Sequence, residues 1–263
     1  MSAADATGDR ARPAPGANAP GHAAPGPQGK GTLYLVPNLL GAVPPDAVLP
    51  ARTIASARAL GHWVVETPKP ARAFLKSLAP ERPIAALAIA AIGEHPDAQR
   101  LLQLLAPALG GIDVGMLSDA GCPGVADPGA MLVAAAHAQG VRVVPLVGPS
   151  SLLLALMASG MNGQRFAFHG YLPAPPEARA AAVRALEARS RSEHAAQLFI
   201  ETPYRNVAML GTLLATLAPA TRLCVAADLT LPTESVATRP VRDWRGRDVA
   251  GYARRPAIFI VEA

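Results

Sequence analysis

The residues best suited to chemistry in this chain are a row of short loops dense in glycine, proline, serine and aspartate. The richest, residues 118–129 (SDAGCPGVADPG), packs three glycines, two prolines and two aspartates into twelve positions. Such a composition permits tight turns, backbone with φ > 0 and close approach of a ligand to the main chain. It reads either as a turn that leads into a helix or as a binding loop. Asp119 is its candidate functional carboxylate, while Asp127 suits the cap of a helix beginning near Pro128.

Other chemistries find little support. There is no GxSxG elbow for acyl transfer, no P-loop, and no HExxH or carboxylate–histidine pair among the six scattered histidines, so no metal site is expected. After the first strand stand Pro37, Asn38 and Gly41 instead of GxGxxG, which disfavours an NAD-dependent oxidoreductase. Cys122 and Cys224, about 100 residues apart without CxxC spacing, suit a reducing compartment and argue against a disulfide framework. No apolar run approaches the roughly 18 residues of a membrane span. The amino terminus has no continuous apolar signal core, so a cytoplasmic protein without membrane contact is expected.

The elements that must position the loops alternate in type. Residues 1–30 are Ala, Pro and Gly with few large apolar side chains and read as a disordered tail, a transit peptide being the lesser alternative. Strands are predicted over 32–36, 62–65, within the apolar run 84–92, and over 112–117 and 141–146. Helices are predicted over 71–78, 101–109 and 130–139. That alternation implies βα units on a parallel sheet, giving a first domain over 31–147. A second domain over 148–263 opens with a helix over 152–159, capped by serine at its start and by Gly160 at its end. Strands over 165–170, 197–200 and 223–227 alternate with helices over 176–191 and 205–217. An Arg-rich connection then leads to a strand over 257–262, and the sheet is expected to be mixed. With 263 residues, 51% of them hydrophobic, the chain suits two α/β domains. The loops PNLLG, ETPK, IGEH, SDAGCPG and VGPSS, then IETPYR and ADLTLPTES, all fall at carboxyl ends of strands. A cleft between the domains is the natural place for them.

GTLYLVPNLLG, LSDAGCPGVADPG, VRVVPLVGPSS, SGMNGQRFAFHGYLP, IETPYRN and AIFIVEA occur in the order and near the spacing of the tetrapyrrole methylase superfamily. Over residues 31–263 the chain most resembles that superfamily's ribosomal RNA small-subunit (16S) ribose 2′-O-methyltransferases. The resemblance implies two α/β domains, a homodimer, and S-adenosylmethionine bound folded in the interdomain cleft. It would set Pro37 near this cofactor. Ser118, Asp119, Ala120, Gly121 and Cys122 would lie against its amino-acid or ribose portion, Ser150 and Ser151 near its methionine end, and Ile200, Glu201 and Ala226 along the adenine. Glycine-rich loops suit a zwitterionic methionine moiety, and methyl transfer works mainly by aligning a nucleophile, so no strong base is required.

The departures from the family pattern lie on the acceptor side. EDTR becomes Glu66, Thr67, Pro68 and Lys69; PIGN becomes Asn38, Leu39, Leu40 and Gly41 after Pro37; RELTK becomes residues 227–231, ADLTL. Glu66, Tyr204 and Arg205 are the candidate substrate-binding residues, Arg205 being either an acceptor contact or a solvated surface residue. The net charge of +5 and the arginines at 239, 242, 245, 247, 254 and 255 point to RNA, although a basic balance also accompanies GC-rich coding. The alternatives are methylation of a tetrapyrrole or other small molecule, and a non-catalytic scaffold that keeps the donor pocket.

Overall fold

The structure is a computed structural model that describes residues 29–263. All but the last two residues of the expected tail lie outside the described residues. Five strands, β1 (Thr32–Leu35), β2 (His62–Val65), β3 (Ala88–Ala91), β4 (Val114–Leu117) and β5 (Arg142–Pro145), form one sheet in the order β3-β2-β4-β1-β5. All its pairings are parallel, as the alternation of strands and helices requires. The crossovers carry α1 (Ala51–Ala59), α2 (Pro68–Ser77), α3 (Ala98–Leu109) and α4 (Gly129–Ala138). Side chains alternate across a strand, so Trp63 and Val65 pack with Ala57, Phe74 and Leu75 of α1 and α2, whereas Val64 packs with Leu105 of α3 and Leu132 of α4.

Gly115 shows how tightly the first layer is closed. A Cβ there would lie 2.6 Å from Cζ3 of the Trp63 ring and 3.0 Å from Cδ1 of Leu60. Trp63 is fully buried and cannot retreat. Gly115→Ala should therefore lower the stability by about 1–3 kcal/mol, the usual cost of overpacking. A thermal unfolding midpoint unchanged from wild type would show that the layer yields.

The second half builds a sheet in the order β6-β7-β10-β8-β9 from β6 (Phe166–Tyr171), β7 (Ala196–Ile200), β8 (Arg222–Ala227), β9 (Ser235–Pro240) and β10 (Ala257–Glu262). Only β6 and β7 pair in parallel, so the sheet is mixed, as expected. Helices α6 (Pro176–Glu193) and α7 (Asn206–Thr216), with the short α8 (Val241–Trp244), share a core with Phe199 and Phe259, whose rings stack with centroids 5.3 Å apart. Helix α5 (Ser151–Ser159) covers the other face over Leu198, Cys224 and Ile260. Leu40, from the loop after β1, packs into this same core and ties the two halves together.

Several boundaries differ from the sequence reading. Helix α2 begins at Pro68 because prolines are tolerated in a first turn, where the missing N–H has no helical acceptor. The apolar run 84–92 splits into a 3-10 turn at Ile84–Ala86 and the strand Ala88–Ala91. Helix α1 and strand β9 were not anticipated. The Arg-rich connection contains β9, which pairs antiparallel with β8 along its whole length. At α5, Gly160 adopts the left-handed cap, but Ser150 makes no side-chain cap bond, so the expected serine cap is absent. Among the described residues no helix is long and apolar enough to cross a membrane.

Candidate functional site

The loop after β4 is held from below by a residue of the loop after β1. Asn38 is buried; its amide Nδ2 donates to the carbonyls of Ser118 (2.9 Å) and Asp119 (3.0 Å), and its backbone N–H donates to the carbonyl of Gly121 (2.8 Å). Gly121 has φ +67° and lies under Leu40, whose Cδ2 would be 3.3 Å from a Cβ at that position. Ser118 is buried, and its hydroxyl donates to the Ala120 carbonyl. Asp127 Oδ1 accepts from the backbone N–H of Gly124 (2.9 Å) and of Gly129 (2.7 Å), so it both closes the loop and caps the first turn of α4. Burial pushes its carboxyl above the ordinary value, and those two amides partly offset the rise.

This framework opens a hollow of about 60 Å3 between the two sheets. Ala120, Gly121 and Cys122 form one wall, Ser150 and Ser151 another, and Ile200 at the end of β7 a third. Six of the candidate cofactor residues therefore meet around one space. Phe168, Leu152, Val125 and Ala126 also line it and were missed from sequence. For Phe168 the available signal was the alternation in FAFHGY, which sets Phe168 on the same face as Phe166.

The remaining candidates lie elsewhere. Pro37 packs against Gly148 instead of lining the hollow. Asp119 precedes the wall residue Ala120 and does not line the hollow; its Oδ2 accepts from the Thr67 hydroxyl (2.7 Å) and its backbone N–H donates to Glu66 Oε2 (3.0 Å), so Glu66 and Asp119 join the loops after β2 and β4. Ala226 is fully buried in the core under α5 and has no free surface to offer adenine. Tyr204 is exposed. Arg205 is occupied: Nε and Nη2 both donate to Glu201 Oε1, at 2.9 and 2.5 Å, and this bond raises the guanidinium pKa further. A free Arg205 acceptor contact is thus replaced by a pairing role.

Glu201 is the unusual carboxylate. It is 4% exposed, its Oε1 also accepts from the Thr202 N–H (2.7 Å), and its Oε2 is buried with no hydrogen-bond partner. A buried acceptor left bare costs free energy unless a ligand donor satisfies it. It sits directly after Ile200 of the hollow's wall. The arginine group is also largely spent inside the protein. Arg255 binds Asp228 and the Thr233 carbonyl, Arg245 the carbonyls of Leu214 and Leu217, Arg247 that of Asp243, and Arg239 lies over the Trp244 ring.

Burial pushes the Cys122 thiol above its ordinary value, and the nearby Asp127 carboxylate adds to the effect. The thiolate is the reactive form, so alkylation of Cys122 should be slow at neutral pH and should accelerate as the pH rises. Cys224 is fully buried and should stay unmodified in the folded protein. Peptide mapping after iodoacetamide treatment checks both outcomes; rapid neutral-pH labelling of either cysteine would contradict them.

A second hollow, of about 280 Å3, lies between α3 and the β2–β3 edge of the first sheet, lined by residues including His62, Ala88, Gln103 and Pro107. The lining runs along β2 and β3 from His62 and Ala88, which start these strands, to Val64 and Ala90. Among the described residues no group of three or more His, Cys, Asp or Glu is placed to hold a metal ion.

The chain is similar to known methyltransferases in sequence and in fold. No family model matches the chain. The chain is 40% identical over 189 residues to ribosomal RNA small subunit methyltransferase I of Micromonospora olivasterospora, covering 72% of this chain and 56% of that protein. It is 37% identical over 212 residues to the protein of that name from Xylella fastidiosa, covering 78% and 71%. Against the first of these relatives the chain thus spans little more than half the length. Among solved structures, uroporphyrin-III-C-methyltransferase from Thermus thermophilus matches with a TM-score of 0.52 at 21% identity over 88% of this chain and 92% of that one. The methyltransferase CobJ matches with a TM-score of 0.58 at 22% identity, over 88% and 94%. The solved structures share the overall α/β fold of this chain, with its one parallel and one mixed sheet, and the relatives show that the chain belongs to the ribosomal RNA small subunit methyltransferase I family.

Proposed function

We propose that the protein methylates RNA of the small ribosomal subunit, at a ribose 2′-oxygen, with S-adenosylmethionine as donor. The observation that carries this reading is the convergence of the loops after β4 and β5 with the end of β7 on one hollow, beside a buried carboxylate oxygen that lacks a partner. The donor supplies an electrophilic sulfonium methyl. The chain's own task is therefore to bind and orient, which fits a site without a strong base. Backbone groups of Ala120, Gly121 and Cys122 and the hydroxyls of Ser150 and Ser151 would hold the polar parts of the donor, and Glu201 Oε2 would accept from one of its N–H or O–H groups. The enclosed space is smaller than the roughly 300 Å3 at which small-molecule pockets begin. Seating the donor thus requires the walls of the hollow to move apart.

The reading also includes a division of the chain into units 31–147 and 148–263, a cytoplasmic location and a homodimer. The outward face of α5 supports the last, since Leu153 and Met157 stand one turn apart and exposed, near Val147 in sequence, on a helix that is apolar nearly all round. Mass spectrometry of small-subunit ribosomal RNA from cells with and without the gene tests the function. A single ribose methyl group present only with the gene is the expected result; identical RNA from both would sink the proposal.

A further inference from the structure

Beside the hollow stands a group of side chains that donor binding does not use. The chain has only four tyrosines, and two of them, Tyr171 and Tyr204, are 57% and 74% exposed. Tyr171 pairs in register with Ile200, the β7 wall of the hollow, and Tyr204 follows in the turn Pro203–Arg205. Tyr204 is thus the immediate neighbour of Arg205, and Tyr171 stands across the sheet from Ile200, the residue before the Glu201 that Arg205 binds. The strand carrying Tyr171 is irregular just before it: the register shifts between Phe168 and Tyr171, and Gly170 has φ +63°. Bulges of this kind re-aim the side chain that follows.

Arg254 completes the group. Its backbone has φ +60°, a conformation that side-chain-bearing residues other than Asn and Asp seldom adopt. It is held there by its own N–H, which donates to the Pro203 carbonyl (2.9 Å), and by Asn206 Nδ2, which donates to the carbonyls of Tyr252 (3.1 Å) and Arg255 (2.7 Å). Its neighbour Arg255 is anchored to Asp228 Oδ2 (2.7 Å) and Ser235 Oγ (3.0 Å). Arg254 itself is exposed, and its guanidinium makes no hydrogen bond or ion pair among the described residues. A cation held in an uncommon backbone conformation and tied to the turn that bears Tyr204 is what a phosphate site beside a stacking platform requires.

We propose that Tyr171, Tyr204 and Arg254 form the acceptor platform, on which an unpaired RNA nucleotide stacks its base against a tyrosine ring and sets a phosphate against Arg254. The inference rests on the RNA methyltransferase reading and narrows its substrate to a single-stranded or extruded nucleotide. Only a base out of its helix offers a free face for stacking; bases within a duplex are covered by their neighbours. The partly buried Arg205 braces the site through Glu201.

The test is fluorescence anisotropy with a labelled single-stranded RNA oligonucleotide and with the same strand annealed to its complement, over a range of salt concentrations. Wild type should bind the single strand more tightly. Tyr171→Ala and Tyr204→Ala should each weaken that binding about ten-fold, with Tyr204→Phe retaining most of the affinity. Arg254→Gly, which suits the backbone conformation, should lower the slope of log K against log salt by about one. Equal binding of duplex and single strand, no single-strand binding at low salt, or affinity and slope unchanged in the variants would overturn the platform. Donor titration on the same proteins separates the two claims. Wild type that fails to bind donor refutes the methyltransferase reading, whereas normal donor binding with unaltered RNA binding in the variants refutes only the platform.

Discussion

Gly148→Ala should lower donor affinity at least ten-fold and bring the unfolding midpoint down by several degrees. A Cβ at residue 148 would sit 2.3 Å from Cβ and 2.6 Å from Cγ of Pro37, with Leu49 Cδ2 at 3.0 Å behind it. A proline ring cannot rotate aside, so the backbone of one loop must move. Overpacking of this kind costs about 1–3 kcal/mol, and in a chain of this size each kcal/mol is worth about 2–4 °C. The displacement passes into the loop after β1, which supports residues 118–121, and outward to Val147, whose carbonyl accepts from the Thr53 hydroxyl at 2.7 Å. Thermal unfolding and calorimetric donor titration read the two effects. A less stable variant with unchanged donor affinity would show that the loop pair does not shape the site.

Asn38→Asp should have the larger effect on binding, about a hundred-fold loss, because it replaces a donor by an acceptor where two carbonyls already converge. The amide now donates to Ser118 O and Asp119 O; a carboxylate oxygen in its place would face both at about the same distance. Each unsatisfied buried partner costs about 1–3 kcal/mol, and the buried charge adds to that. Asn38→Ala, which leaves the carbonyls unpaired without repelling them, should lose about ten-fold. Equal losses from the two variants would mean that Asn38 acts by filling space and not through its amide. The comparison is read by the same titration.

Much of the architecture is legible in the sequence because it rests on local pattern. Apolar runs such as TLYL and HWVV between turn residues mark the parallel strands, and the glycine- and proline-rich segments at their carboxyl ends mark the cleft. The parts that were missed depend on partners far along the chain. Strand β9 (SVATRP) has half-exposed side chains, an arginine and a proline, and it is a strand because β8 lies beside it. Asn38 looks like a loop residue until its partners 80 and 81 positions away are known. Ala226 lies on the expected strand, but it faces the core; Arg205, expected to open a helix, ends the turn before it and is already paired to Glu201. Spacing sets which strand end a residue occupies; packing decides whether its side chain is free for a ligand.

The central claim is that the space between the loops after β4 and β5 and the end of β7 holds the methyl donor. Isothermal titration of the purified protein with S-adenosylmethionine and with its demethylated product tests it most directly. The account predicts saturable binding of both ligands, one per chain, abolished or strongly weakened by Asn38→Asp and left intact by Arg254→Gly. No binding of either ligand at millimolar concentration by a folded wild-type protein would contradict it.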